Sequence, residues 1–183
     1  YERSNGAPPG FVAEVNSKNS ADNAWAKIER NEISTEEFDA LFRMETKEHG
    51  FELSGADLLP LLTGAIREEM VAAIDRLRDH QLIVACLTNN VLTTNPSPRL
   101  VELLTQFDFV VESSKVNVRK PERRFYYEIA CELGRVEPSE CVFLDDLGIN
   151  LKTAREMGMT TIKVTSAQQA LAELSEVMGF DLS

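Results

Sequence analysis

From Gly64 onward the chain alternates strand-like runs with amphipathic stretches, and this alternation narrows its fold more than any other feature. Leu82–Leu87 and Cys141–Leu144 are apolar at every position. Runs of that kind suit strands covered on both faces rather than on one. Phe107–Val111 and Thr160–Val164 are short and rich in aromatic or β-branched residues, as strands prefer. Between them, Arg67–His80 carries Met70, Ala73, Ile74 and Leu77 on one helical stripe, and Ser97-Pro98 opens a helix with Leu100, Leu103 and Leu104. Pro121 is expected at the first turn of a helix bearing Phe125, Ile129 and Leu133 and ended by Gly134. Asn150–Met157 reads as a helix stopped by Gly158, and Ser166 as the cap of the last one. The predicted class is α/β, a parallel sheet with helices on both faces. Sheets of this kind bind ligands at the carboxyl ends of their strands.

The first third differs in kind. Asp22 is expected to cap a helix over Asn23–Arg30, with Trp25 and Ile28 on one face. Ser34 followed three residues later by Glu37 forms a capping box before Phe38, Leu41, Phe42 and Glu45, and Gly50 stops that helix. Leu58, Leu59, Leu61 and Leu62 form an apolar segment interrupted by Pro60. No strand is expected here. The predicted organisation is therefore a helical domain over residues 1–63 and an α/β core over residues 64–183. Trp25, Phe38, Phe42 and Phe51 read first as the packed core of the helical part, and second as a substrate-facing set.

A net charge of −11 argues against a nucleic-acid partner and against adsorption to an anionic membrane, since both need a basic face. It leaves room for one phosphate group held by a local lysine and a metal. No apolar stretch reaches the roughly 18 residues that a membrane-spanning helix needs. Cys86, Cys131 and Cys141 are odd in number and show no metal-ligand spacing. Cys86 and Cys141 lie in apolar runs, so buried reduced thiols and a cytoplasmic setting are expected.

The strand ends carry the chemistry. Asp145-Asp146 follows Cys141–Leu144 directly. Two adjacent acids against a buried strand repel each other unless a cation lies beside them, and hard oxygen donors suit Mg²⁺. Asp146 as a simple helix cap is the competing reading. Thr88-Asn89-Asn90 ends Leu82–Leu87, where a hydroxyl and a backbone N–H can hold a phosphate oxygen, or where asparagines simply make a turn. Lys120 precedes Pro121, and a lysine at a helix N-terminus is unfavourable without an anion to offset it. Lys115, Arg119, Arg123 and Arg124 lie nearby, so position alone does not single Lys120 out.

Together these segments resemble the haloacid dehalogenase (HAD) superfamily. Leu87-Thr88-Asn89-Asn90 is similar to its second motif, and Lys120-Pro121-Glu122 with Phe125-Tyr126 to its third. Val142-Phe143-Leu144-Asp145-Asp146-Leu147-Gly148-Ile149-Asn150, continuing through Ala154–Met159, is similar to its fourth. The resemblance covers Gly64 to the end, and the helical first third is similar to a small helical cap. The likeness extends to the N-terminal phosphatase-like domain of soluble epoxide hydrolase and its bacterial single-domain relatives. It implies a HAD-like, Rossmann-like core and a Mg²⁺-dependent phosphatase of a small-molecule phosphate monoester. Thr88 and Asn89 would then bind the phosphoryl group, Lys120 would neutralise it, Asp145 and Asp146 would ligate Mg²⁺, and Asn150 would cap the helix behind them. A homodimer stays open.

The resemblance also implies a nucleophilic Asp on a strand between Leu82–Leu87 and Cys141–Leu144, and no segment of the sequence matches it. The chain begins with Tyr1 rather than Met. A further segment on the order of twenty residues is therefore expected upstream of residue 1. Three other readings remain open. One is a haloacid dehalogenase, which needs no metal and fits the acid pair poorly. Another is a non-catalytic phosphate- or partner-binding module. The last is a receiver-type or dinucleotide-binding domain, the latter disfavoured because no Gly-rich loop follows a strand.

Overall fold

The capping box at Ser34 forms as the sequence predicts. In a computed structural model, which describes residues 1–62, 64–92 and 96–182 and only the backbone of 128 and 129, Ser34 Oγ accepts the Glu37 N–H at 3.2 Å and Glu37 returns a carboxylate to the Ser34 N–H at 2.8 Å. The chain divides into two units. One comprises Tyr1–Ala65 with Asn90–Leu92 and Ser113–Asn117; the other comprises Ile66–Asn89, Thr93–Glu112 and Val118–Ser183.

The first unit contains helices α1 (Phe11–Ser17), α2 (Ala24–Glu29), α3 (Thr35–Glu48) and α4 (Gly55–Leu58). Asn23, not Asp22, caps α2. Its Oδ1 accepts the Ala26 N–H at 2.8 Å while its Nδ2 donates to the carbonyls of Asn16 and Lys18. An amide can accept and donate at once, so it ties the start of α2 to the end of α1, which a carboxylate cannot do. Asp22 pairs with Lys27 instead. Phe38 and Phe42 are fully buried and stack with ring centroids 5.4 Å apart, and Trp25 packs edge-on against Phe38. Phe51 packs against the same cluster. These aromatics are the core of the unit, as the first reading had it. The Asp39 carboxylate accepts from Arg43, from the Ser54 hydroxyl and from the Ala56 N–H, tying α3 to the start of α4.

The second unit holds helix α5 (Glu68–Asp79), strand β1 (Ala85–Thr88), helix α6 (Pro98–Leu104) and strand β2 (Phe109–Glu112). After a helical segment come strand β3 (Val142–Asp145), helix α7 (Gly148–Glu156), strand β4 (Thr160–Lys163) and helix α8 (Ala167–Met178). Pairing is parallel throughout: Ala85 opposes Phe109 and Thr88 opposes Glu112, while Val142 opposes Thr160 and Asp145 opposes Lys163. Ala73 of α5 and Leu171 and Leu174 of α8 pack on Ile162, with Val142 and Leu144 beside them.

The strands depart from expectation in one respect. Among the described residues β1 pairs only with β2 and β3 only with β4. The apolar run Leu82–Leu87 is therefore not enclosed: β1 is half-buried along its length, and Leu82 and Ile83 are 37% and 54% exposed. A strand with a neighbour on one edge lacks the flanking side chains that would cover it. The same openness leaves helix α6 with no buried residue, although Ser97 caps it as expected. Of the cysteines, Cys131 is the buried one; Cys86 and Cys141 are intermediate, and all three are free.

Past Lys120 the chain also differs from the reading. The Lys120-Pro121 bond is cis, helical conformation starts only at Arg123, and Phe125–Cys131 winds as a π-helix. Pro121 is thus outside the helix, and Lys120 does not oppose its dipole. Phe125 is fully buried, Leu133 is 58% exposed, and the side chain of Ile129 lies outside the described residues.

Candidate active site

The carboxyl ends of β1 and β3 meet at one cation. Lys120 Nζ donates to the Asp145 carboxylate at 2.7 Å and to the Leu87 carbonyl at 2.9 Å. The Lys120 and Asp145 side chains are 12% and 5% exposed, so the pair is largely shielded from water. Lys120 Nζ also sits 5.6 Å from the centroid of the Phe143 ring. Phe143 and Asp145 are two residues apart on β3 and so share a face. The lysine therefore lies above one ring and against one carboxylate, which fixes its head group without a helix dipole.

The three residues after Leu87 divide the work. Among the described residues Thr88 Oγ1 makes one long contact, 3.3 Å to the Asn89 carbonyl, which leaves its hydroxyl able to turn toward a ligand. Asn89 turns its side chain onto the backbone of Lys120, accepting the Lys120 N–H at 2.8 Å and donating to the Lys120 carbonyl at 3.0 Å. Its contribution to a phosphate is thus confined to its backbone N–H. Asn90 turns the other way: its Oδ1 accepts from the Ser114 hydroxyl at 3.0 Å, and its N–H donates to Ser113 Oγ at 2.9 Å.

The two acids are unlike. Asp145 is buried, and each of its oxygens accepts two hydrogen bonds: Oδ1 from the Leu147 N–H at 2.8 Å and Asn150 Nδ2 at 3.0 Å, Oδ2 from Lys120 and from Asn150 at 3.1 Å. Asp146 is exposed. It does not cap α7, whose N-cap is Leu147 with no side-chain cap bond, so the competing reading of Asp146 as a cap falls. Asn150 does not cap α7 either. It sits inside the first turn, 3% exposed, with its amide on Asp145. The sequence signal for this was the five-residue spacing from Asp145, which returns one helical turn to the strand end.

Among the described residues no three or more His, Cys, Asp or Glu gather as a metal-binding group. Asp145 and Asp146 form a smaller set, two adjacent carboxylates at the end of β3. That donor set fits Mg²⁺, which is commonly held by one or two carboxylates and completed by water and phosphate oxygens. Burial pushes the Cys86 thiol up, although the Lys120 charge works in the other direction. The site thus brings together Thr88, Asn89, Lys120 and Asp145, with Asp146 next in sequence.

A family profile described as haloacid dehalogenase-like hydrolase matches residues 13–174. Among curated proteins, mouse acyl-CoA dehydrogenase family member 10 is 32% identical over 187 residues, spanning 100% of this chain and 17% of that protein. Rat bifunctional epoxide hydrolase 2 is 38% identical over 120 residues, 63% of this chain and 22% of that protein. The chain thus spans less than a quarter of the length of either relative. Among solved structures, a predicted HAD-like family hydrolase from Porphyromonas gingivalis superimposes with a TM-score of 0.65 at 21% identity, covering 97% of this chain and 86% of that one. A HAD family enzyme from Bacteroides thetaiotaomicron, in complex with magnesium and inorganic phosphate, gives 0.59 at 20% identity over 90% of this chain and 87% of that one. No helix among the described residues is long and apolar enough to cross a membrane.

Proposed function

This chain belongs to the haloacid dehalogenase-like hydrolases, and we propose that within that family it acts as a Mg²⁺-dependent phosphatase on a small phosphate monoester. The observation that carries this reading is the Lys120–Asp145 pair, 2.7 Å apart at the ends of two parallel strands. A fixed ammonium beside an acid pair, with a hydroxyl and a backbone N–H close in sequence, suits a dianionic phosphoryl group better than a halide. The magnesium and inorganic phosphate in the Bacteroides thetaiotaomicron structure support the same ligand class.

In this reading Asp145 and Asp146 hold the metal, which when bound offsets charge on the phosphoryl oxygens. Lys120 donates to one of those oxygens and keeps the attacking carboxylate ionised. The Thr88 hydroxyl and the Asn89 N–H hold a second oxygen and orient the group for in-line attack. A carboxylate oxygen attacks phosphorus as the ester P–O bond breaks, and the alkoxide leaves as the alcohol by taking a proton from water, which the later hydrolysis returns to solvent. Water then hydrolyses the aspartyl-phosphate and regenerates the carboxylate. That attacking carboxylate is proposed to arrive on a strand between β1 and β3, a place that agrees with the absence of hydrogen bonding between the two strand pairs among the described residues.

The test is a panel of phosphate monoesters presented to the full-length protein, with Asp145→Asn as control. Phosphate release that stops on adding EDTA supports the reading. Halide release from a 2-haloacid that persists in EDTA would replace it with a dehalogenase, and unchanged turnover in Asp145→Asn would remove the site.

A further inference from the structure

Tyr126 is the largest fully buried side chain among the described residues, and it touches both halves of the Lys120–Asp145 pair at one remove. Its hydroxyl donates to the Asn150 carbonyl at 3.1 Å, and the Asn150 amide in turn donates to both oxygens of Asp145. Its ring meets the Phe143 ring edge-on, with centroids 5.3 Å apart and planes at 88°, and Phe143 is the ring beneath Lys120 Nζ. Two separate paths thus run from one side chain, a polar one to the carboxylate and an aromatic one to the ammonium.

Packing alone does not account for a tyrosine here. Phe125, its neighbour on the π-helix, is equally buried and carries no hydroxyl. A buried phenol that lacked a partner would lose its hydration with nothing in return, so a plain ring would be the better filler. The hydroxyl instead reaches a carbonyl in the first turn of α7, which holds the Asn150 backbone at a set distance from β3. π-helical turns are rare and recur at functional sites. Burial and the Asp145 charge both push the Tyr126 phenol up, so it stays a protonated donor across the physiological range.

We infer that Tyr126 is a positioning residue for the Lys120–Asp145 pair: its hydroxyl orients Asp145 through Asn150, and its ring supports Lys120 through Phe143. It touches neither substrate nor metal. The inference rests on the reading of Lys120 and Asp145 as the reactive pair. It adds an outer contact of the kind whose loss commonly costs tenfold or more in activity or metal affinity.

The decisive variant is Tyr126→Phe, which keeps the ring and removes the donor. In the full-length protein it should lower kcat on p-nitrophenyl phosphate by about tenfold with KM within about twofold, and weaken Mg²⁺ binding in calorimetry by a similar factor. The NMR signal of the Lys120 side-chain methylene next to Nζ should move part of the way toward its position in Asp145→Asn. A variant with a lower Tm but wild-type kcat, Mg²⁺ affinity and Lys120 signal would overturn the inference and leave Tyr126 as filler. If Tyr126→Phe does not fold, 3,5-difluorotyrosine at position 126 keeps the shape and alters the donor, and the Lys120 signal decides in the same way. Wild-type protein without phosphatase activity or Mg²⁺ binding would overturn the functional reading instead. In that case the Lys120 signal still reads whether Tyr126 orients the pair.

Discussion

The side chain of Asn89 grips the backbone of Lys120 from both sides, accepting its N–H at 2.8 Å and donating to its carbonyl at 3.0 Å. A primary amide is the side-chain group that can match a peptide in this paired way. The end of β1 is thereby bolted to the segment that delivers the lysine, and the lysine head group then reaches back to the Leu87 carbonyl one residue before Thr88.

Asn89→Ala removes both bonds. At about 1 kcal/mol each, stability in urea should fall by about 2 kcal/mol, and turnover of p-nitrophenyl phosphate should fall by about tenfold or more as Lys120 loses its seat. Asn89→Asp keeps the acceptor and loses the donor, so it should lie between Asn89→Ala and wild type in stability. Wild-type stability and turnover in Asn89→Ala would show that the clamp is dispensable.

The two acids should separate by experiment. Asp145→Asn strands a shielded ammonium, a change that costs about 3 kcal/mol or more when one partner of a buried pair is removed. Asp146 is exposed, and Asp146→Asn should change stability by less than about 0.5 kcal/mol while weakening Mg²⁺ binding in calorimetry. Equal stability losses in the two variants would contradict the difference in burial between Asp145 and Asp146 as the source of the effect.

Asp39 supplies a pH prediction in the helical unit. The Ala56 N–H, then Arg43 and Ser54, hold its carboxyl down to about 2, below the ordinary value of 3.8. A depressed folded-state value means that its stabilising effect is complete above the unfolded value near 3.8 and disappears as pH falls through about 2. Melting curves of wild type and Asp39→Asn should therefore differ at pH 6 and converge by about pH 2. A gap that stays constant over that range would remove the carboxylate as its cause.

Gly55 begins α4 directly against a core ring. A Cβ placed there would lie 2.6 Å from Phe38 Cε1 and 2.9 Å from Cδ1, and Phe38 is fully buried against Phe42 and Trp25. Gly55→Ala should cost about 1–3 kcal/mol through overpacking, despite the better helix propensity of alanine. Gly148→Ala, where no atom lies within 4 Å of the added Cβ, serves as the control for propensity. A Gly55→Ala protein as stable as wild type would show that Phe38 can move aside.

Local sequence rules carried a good part of this protein. Ser34 with Glu37 and Ser166 with Gln169 form the capping boxes that their spacing dictates, because a cap is settled within four residues. The parallel α/β class followed from apolar runs broken by amphipathic helices. Reading along the chain failed where the deciding contact lies far off in sequence. Asn89 meets Lys120 across 31 positions and Lys120 meets Asp145 across 25, so neither spacing could show that the Asn89 side chain is occupied by the Lys120 backbone. Asp22 was the expected cap of α2, and Asn23 takes that place because the end of α1 comes close enough to accept from its amide. The sequence by itself determined which residues carry charge and where strands end. Tertiary structure decided which of those groups face one another, because the geometry of a buried ion pair depends on the two backbones that bring it together and not on either segment alone.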